Sequence, residues 1–256
     1  MELTNKRALV TGGGHGLGRG IAEALLRAGA TVTVCGRNEQ ALADTLAAAA
    51  QGGAMHSVVC DVTSAESVAN AVRYAEARMG GVDLLINNAG IAPTAPIRNL
   101  TLETWQQAFA VNATGTFLCT QACLGGMLER KFGRVINIAS VAGVTGGPYL
   151  AAYCASKHAV IGFTRAAAAE LGDKGVHVNA ICPAYVDTDM TRGGVQRVMR
   201  SKGASEQDAL TAVLTSAGQK RLLPVSEVAS WVVHLCGPAG NALNGQVIVL
   251  DGGGKE

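Results

Sequence analysis

The sequence predicts an α/β fold: one doubly wound sheet of seven parallel strands flanked by helices. Three observations predict it. Short β-branched runs alternate with longer Ala-rich segments, the runs are continuously apolar, and a glycine-rich turn follows the first of them. Continuous apolar runs suit strands covered on both faces, and intervening helices imply right-handed crossovers into a parallel sheet.

Taken in chain order, Ala8-Leu9-Val10 is the first strand, with a helix over 17–28 after it. Thr31-Val32-Thr33-Val34 is the second, followed by a helix over 39–50 that Asn38 is placed to cap. Ser57-Val58-Val59 precedes a helix over 65–79 capped by Ser64, and Leu84-Leu85-Ile86 precedes one long helix over 101–130. Val135-Ile136-Asn137-Ile138 leads into a helix over 152–171, and Val176-His177-Val178-Asn179-Ala180-Ile181 is the sixth strand. A helix over 226–236, opened by Ser226, and the strand Val247-Ile248-Val249-Leu250 close the chain. The pattern is a Rossmann-like architecture. Residues 188–218 break the rhythm: they are polar, carry Gly193-Gly194 and Gly203, and receive no helix. They follow a strand end, where open α/β sheets place their ligand crevice, so a mobile substrate lid is expected there.

Composition sets the outer bounds. A chain of 256 residues with 48% hydrophobic and 16% charged residues can bury a large aliphatic core, and with no linker-like shift one domain over 1–256 is expected. Lys and Arg total 21 against 19 Asp and Glu, a balance that argues against nucleic-acid binding. The start lacks a signal-peptide pattern and no apolar run is long enough to span a bilayer, so a soluble cytoplasmic protein with no membrane partner is expected. Cys35, Cys60, Cys119, Cys123, Cys154, Cys182 and Cys236 form an odd set without CxxC, and neither a disulfide framework nor a metal site is expected. Cys119 and Cys123, four apart on one helix, read as small core residues.

Chemistry concentrates in two places. After the first strand, Thr11-Gly12-Gly13-Gly14-His15-Gly16-Leu17-Gly18 passes directly into a helix. Strand, glycines and helix together offer a tight turn, close backbone approach and free N–H groups at a positive helix end, which is what a pyrophosphate needs. Farther on, Tyr153 and Lys157 lie four apart, on one face of a helix. A neighbouring ammonium and a positively charged nicotinamide ring would both favour phenolate, so Tyr153 is expected to donate a proton in reduction and accept one in oxidation.

These motifs occur in a fixed order with Asn87-Asn88-Ala89-Gly90, Ser140, Tyr153-Cys154-Ala155-Ser156-Lys157 and the closing Asn244-Gly245…Asp251-Gly252-Gly253. In that order they resemble the short-chain dehydrogenase/reductase family over essentially the whole chain. The resemblance implies hydride transfer between a nicotinamide cofactor and a carbonyl/alcohol pair. It assigns catalysis to Asn112, Ser140, Tyr153 and Lys157: serine on the substrate oxygen with Tyr153, lysine on the nicotinamide ribose, asparagine holding a water that leads to lysine. It further assigns cofactor contacts to Gly12, Gly14, His15, Gly16, Leu17, Gly18, Arg37, Asp61, Val62, Asn88, Ala89, Gly90, Tyr153, Lys157, Pro183, Val186 and Thr188. Pro183-Ala184 departs from the family's Pro-Gly, which a methyl group would tighten.

Within the family, Gly125-Gly126-Met127, Asn137-Ile138-Ala139-Ser140 and Val178-Asn179-Ala180-Ile181-Cys182-Pro183 are similar to β-ketoacyl reductases and type II polyketide ketoreductases, although Ala92-Pro93-Thr94 stands where the latter often have Pro-Gly-Gly. A ketone or 3-oxoacyl thioester substrate is therefore expected. The alternatives are an NAD-dependent dehydrogenase of a 3-hydroxyacyl-CoA or small alcohol, and a catalytically silent binding or regulatory protein on this fold. NAD-selective relatives place a carboxylate after the second strand; here Cys35-Gly36-Arg37-Asn38 offers a guanidinium instead, with His15 in the glycine loop. NADP(H) preference over NAD(H) is expected. The resemblance also implies a homotetramer. Were the substrate carried by an acyl carrier protein, Arg130, Lys131 and Lys174 are expected to form its docking patch at the crevice mouth.

Overall fold

The computed structural model describes residues 2–49 and 54–253. Seven strands form one sheet: β1 (Arg7–Thr11), β2 (Thr31–Gly36), β3 (Met55–Val59), β4 (Leu84–Asn87), β5 (Gly133–Ile138), β6 (Val176–Pro183) and β7 (Val247–Leu250). Their spatial order is β3-β2-β1-β4-β5-β6-β7 and every pairing is parallel. The helices are α1 (Gly16–Arg27), α2 (Glu39–Ala49), α3 (Ala65–Met79), α4 (Leu102–Phe109), α5 (Gly115–Glu129), α6 (Ala151–Leu171), α7 (Asp189–Lys202), α8 (Glu206–Ser216) and α9 (Val225–Cys236). Chain order turns back between β1 and β4, so the loops leaving those strands part and open a crevice at the carboxyl edge of the sheet.

The continuously apolar strands are covered on both faces, as their sequences require. On one face Ile21, Leu25, Leu42, Val228, Val232 and Leu235 of α1, α2 and α9 pack against Val10, Val34, Ile86 and Ile136. On the other, Val68, Val72, Cys119, Cys123, Met127 and Leu171 of α3, α5 and α6 pack against Leu9, Leu85, Val135 and Val178. Each large side chain so buried contributes roughly 1.5–3 kcal/mol. Cys119 and Cys123 are core residues here, and burial pushes both thiols up, Cys119 to about 12.

Helix ends follow local chemistry. Ser64 caps α3 by accepting from the Ser67 N–H, and Gly80 (φ 80°) terminates it in the left-handed region. Asn38 Oδ1 accepts from the Ala41 N–H at 3.1 Å, as expected of a cap. The last helix instead opens on Pro224, whose restricted φ suits that position, and Ser226 lies inside α9 rather than at its cap.

Two segments differ from the sequence reading. The run 101–130 is not one α-helix: the π-helical turn Ala110–Thr114 separates α4 from α5. Residues 188–218, left without helices above, form α7 and α8, which bury Val195, Ala209 and Val213 between them in a small core of their own. Gly193 and Gly194 weaken helix propensity without forbidding the helix, because tertiary packing of an apolar stripe outweighs it.

The docking patch drawn at the crevice mouth is also corrected. Arg130, Lys131 and Lys174 lie ahead of β5 and β6, at the amino edge of the sheet and opposite the crevice. There Arg130 Nε donates to Asp83 at 3.2 Å and its Nη2 to the Val82 carbonyl at 2.6 Å, while Arg7 holds the same Asp83 with bonds of 2.7 Å from Nε and Nη2. Burial opposes the Asp83 charge, but these two guanidinium groups win and hold its carboxyl below the usual range. Among the described residues no helix is long and apolar enough to cross a membrane.

Candidate active site

The glycine loop between β1 and α1 is built by exclusion of side chains. Gly12 (φ 66°) and Gly16 (φ 53°) occupy the left-handed region. A Cβ on Gly18 would lie 2.2 Å from the Gly12 carbonyl oxygen, and one on Gly13 would lie 2.6 Å from the Val34 side chain. The turn is then held from three sides. Thr45 Oγ1 donates to the carbonyls of Gly13 and Gly14 at 3.2 and 3.0 Å. Asn88 Nδ2 donates to the carbonyls of Thr11 and Gly12 at 2.9 and 3.3 Å, and Thr11 Oγ1 accepts from the N–H groups of Asn88 and Ala89, both at 3.0 Å. Gly14 packs against Ala41 of α2, Leu17 against the core, and His15 stands exposed at the start of α1 without a capping bond. Close backbone turns ahead of a helix N-terminus fit the pyrophosphate of a dinucleotide, and a Cβ at Gly18 would fill this turn.

The residues expected to be catalytic converge from β5 and α6. Ser140 follows β5 and opens a 3-10 turn, its Oγ accepting from the Ala142 N–H at 3.1 Å and donating to the Pro183 carbonyl at 3.4 Å. Gly143 of that turn packs so closely on α6 that a Cβ would lie 2.9 Å from the Lys157 carbonyl oxygen. Lys157 is buried, its Nζ donating to the Ile138 carbonyl at 2.8 Å and standing 5.9 Å from the Tyr153 ring centre. Burial pushes Lys157 down to about 8. It pushes Tyr153 up to about 12, against the pull of its hydrogen bond with Ser140. Desolvation thus favours the protonated phenol in the absence of a bound nicotinamide ring, whose positive charge is half of the expected pull toward phenolate.

Asn112 is fully buried in the π turn. Its Oδ1 accepts from the Ile91 N–H and its Nδ2 donates to the Ile91 carbonyl and to Ser156 Oγ, each at 2.9 Å. Gly90 sits between these groups: a Cβ there would lie 3.2 Å from Asn112 Oδ1 and 3.4 Å from Lys157 Nζ. The missing side chain lets asparagine, lysine and the exit of β4 meet. A second buried polar chain runs from Asn87 through Asn137 to Thr164 across β4, β5 and α6, with bonds of 2.9 Å.

The far wall follows β6. Thr188 starts α7 and lies 3.7 Å from where a Gly16 Cβ would be, so the two loops face each other. Val186 bridges to Leu223, and Gln219 fixes the turn, its Oε1 accepting from the Tyr185 N–H and its Nε2 donating to the Tyr185 carbonyl, both at 2.9 Å. Ala184 donates its N–H to the Leu250 carbonyl at 2.8 Å, so the departure from Pro-Gly leaves the turn intact.

The geometry brings Asn112, Ser140, Tyr153, Lys157 and Gly90 together, with the glycine loop on one side and Pro183, Val186 and Thr188 on the other. Arg37 is exposed just past β2 and makes no hydrogen bond or ion pair with a described residue. Asp61 Oδ1 accepts from Thr63 N–H and Oγ1 at 2.9 and 2.8 Å, and Val62 packs on Gly115. Sequence reasoning missed Thr11, Thr45 and Gln219, which hold the site rather than line it; Thr11 stood next to the glycines, but only the three-dimensional bonds reveal its role.

A family model described as short chain dehydrogenase matches residues 6–197. A D-beta-hydroxybutyrate dehydrogenase of Cupriavidus necator is 35% identical, with 98% of each chain covered. A 3-oxoacyl-[acyl-carrier-protein] reductase of Aquifex aeolicus is 36% identical over 99% of this chain and 98% of its own. The structure of a variant actinorhodin polyketide ketoreductase with NADPH superposes with a TM-score of 0.92 at 38% identity, covering 97% of this chain and 96% of that one. The chain belongs to the short-chain dehydrogenase/reductase family of oxidoreductases.

Proposed function

We propose that this short-chain dehydrogenase/reductase is an NADP(H)-dependent enzyme interconverting a ketone and a secondary alcohol, with a 3-oxoacyl thioester among the ketones it accepts. One observation carries the reading: the Ser140 hydroxyl, the Tyr153 phenol and the Lys157 ammonium converge at the carboxyl edge of the sheet, beside a tight glycine loop that runs directly into a helix N-terminus. When bound, the nicotinamide supplies or accepts the hydride at the carbonyl carbon. Gly12, Gly16 and Gly18 would hold the pyrophosphate, Lys157 the nicotinamide ribose, and Val186 and Thr188 the nicotinamide amide.

In the reducing direction the Ser140 hydroxyl donates a hydrogen bond to the carbonyl oxygen, where negative charge develops. Tyr153, protonated up to about pH 12, gives its proton to that oxygen and is left as phenolate; in oxidation the proton returns. Tyr153→Phe keeps the ring and removes this proton. Turnover is expected to fall about a hundredfold or more with the cofactor Kd unchanged. Near wild-type turnover would refute the assignment.

Cofactor preference rests on Arg37. It stands where a ribose-binding carboxylate would exclude a 2′-phosphate, and its planar fork suits that phosphate. Among the described residues Glu39, the nearest acidic neighbour in sequence, forms no ion pair with Arg37, and the Arg37 charge helps to lower Asp61. Arg37→Ala is expected to lower kcat/KM with NADPH at least about tenfold, or about 1.4 kcal/mol, and to leave NADH nearly unaffected. A wild type that prefers NADH, or equal losses with both, overturns the preference. A homotetramer would cover large apolar side chains that stand exposed, Trp105 and Phe117 on α4 and α5 and Trp231 and Val249 on α9 and β7; the mass by light scattering checks it.

A further inference from the structure

The three segments leaving β4, β5 and β6 frame the crevice beside Ser140 and Tyr153. In residues 91–97, 140–150 and 184–190 there is no Lys, Arg or His; the only charged groups are Asp187 and Asp189. Apolar surface stands open instead: Val144 is 40% exposed, Tyr149 64% and Met190 53%. The next cations in sequence are Arg98, beyond the first segment, and Arg192, whose guanidinium pairs with Asp187 at 2.9 Å and Asp189 at 3.8 Å.

Tyr149 has a second peculiarity. Its φ is 66°, in the left-handed region that aromatic residues seldom adopt. Packing does not compensate for this conformation within the fold, since the ring is mostly exposed, stacks on no other ring and forms no hydroxyl hydrogen bond among the described residues. What fixes the backbone is the Tyr149 carbonyl, which accepts from the Ala95 N–H at 2.9 Å and ties the β5 exit to the β4 exit four residues ahead of Tyr153. Strained conformations held by surrounding structure, without gain in packing, concentrate at ligand-binding positions.

We propose that Tyr149, with Val144 and Met190, forms an apolar wall that selects neutral ketones bearing a bulky apolar group and disfavours short keto acids whose carboxylate would meet Asp187 and Asp189 without a free cation. The inference rests on the proposed ketone/alcohol activity and names its substrate class. It separates this chain from a role on a small anionic substrate such as 3-hydroxybutyrate.

The test compares acetoacetate, its neutral ethyl ester and the bulkier ethyl benzoylacetate, in wild type, Tyr149→Phe and Tyr149→Asn. Asparagine tolerates the left-handed backbone, so this variant removes the ring while keeping the turn, with Tm expected within about 2 °C of wild type. The neutral esters should exceed acetoacetate in kcat/KM by at least about tenfold. Tyr149→Asn should lower kcat/KM for ethyl benzoylacetate about tenfold, mainly through KM, with little change for the small ester or in NADPH Kd; Tyr149→Phe should retain wild-type values. Preference for acetoacetate, an Arg98→Ala variant that loses it, or equal losses on both esters would each overturn the proposal. Ester binding is also measured directly, by titration of the enzyme–NADPH complex. Ring-dependent binding without turnover would uphold the wall and count against the ketoreductase reading; ring-independent binding would overturn the wall whatever the turnover.

Discussion

The two walls of the crevice are made in opposite ways. After β1, the glycine loop leaves no room for even one methyl group at Gly13 or Gly18, and Thr45, Asn88 and Thr11 tie its backbone from neighbouring elements. After β6, the wall is a pair of helices with a small core of their own, tied back through the Val186–Leu223 bridge, the Ala184–Leu250 backbone bond and the side chain of Gln219. A pyrophosphate presents the same shape whatever the reaction, so its wall can be fixed by backbone contact. A substrate pocket must differ between enzymes of one architecture, and a wall hung on few tethers can change without disturbing the sheet.

The largest test of that contrast is Gly18→Ala. With its Cβ at 2.2 Å from the Gly12 oxygen and 2.4 Å from Asn88 Nδ2, backbone must move, and we expect a stability loss of at least about 2 kcal/mol with cofactor affinity down by a hundredfold or more. Unchanged melting and affinity would show that the loop yields as easily as the opposite wall. Next comes Gln219→Ala, which leaves the half-buried Tyr185 N–H without its acceptor and should cost about 1 kcal/mol. Here KM for the ketone should rise several-fold while NADPH Kd stays within about twofold; equal damage to both would mean that the walls are one unit.

The smallest effect concerns Lys157, which touches both ligands' territory. Because burial holds it near 8 rather than at the usual lysine value, its ammonium is present below pH 8 and lost as pH rises through it. Cofactor affinity should weaken by a few-fold between about pH 7 and pH 9, a slope that Lys157→Ala removes. A flat wild-type profile over that range would place the ammonium outside cofactor binding.

Legibility in the sequence divides along similar lines. All seven strands could be found, because buried strands are short apolar runs bounded by turns, and the order Gly12…Ser140…Tyr153…Lys157 carried the active constellation. Gln219 was invisible: it acts on Tyr185, 34 residues away, and an isolated Gln between helices resembles any solvated residue. For Tyr153, spacing reveals a neighbouring charge but not the depth of burial that raises its phenol. Ser226 and Pro224 both suit a helix start, and only the backbone path chose between them. The helices of 188–218 were hidden by Gly193 and Gly194, whose low propensity is offset by contacts between Val195, Ala209 and Val213.

The π turn at Ala110–Thr114 has a further consequence for how this chain can vary in length. A π turn holds one residue more than an α turn. Deleting a single residue between 110 and 114 would let the rod close into regular α-helix with both halves keeping their faces. The Cys119, Cys123 and Met127 stripe would stay in the core, and what would be lost is the wide turn that carries Asn112 to Ile91 and Ser156. The surplus residue thus serves the site and not the core: a one-residue deletion here should leave the fold standing while disconnecting Asn112.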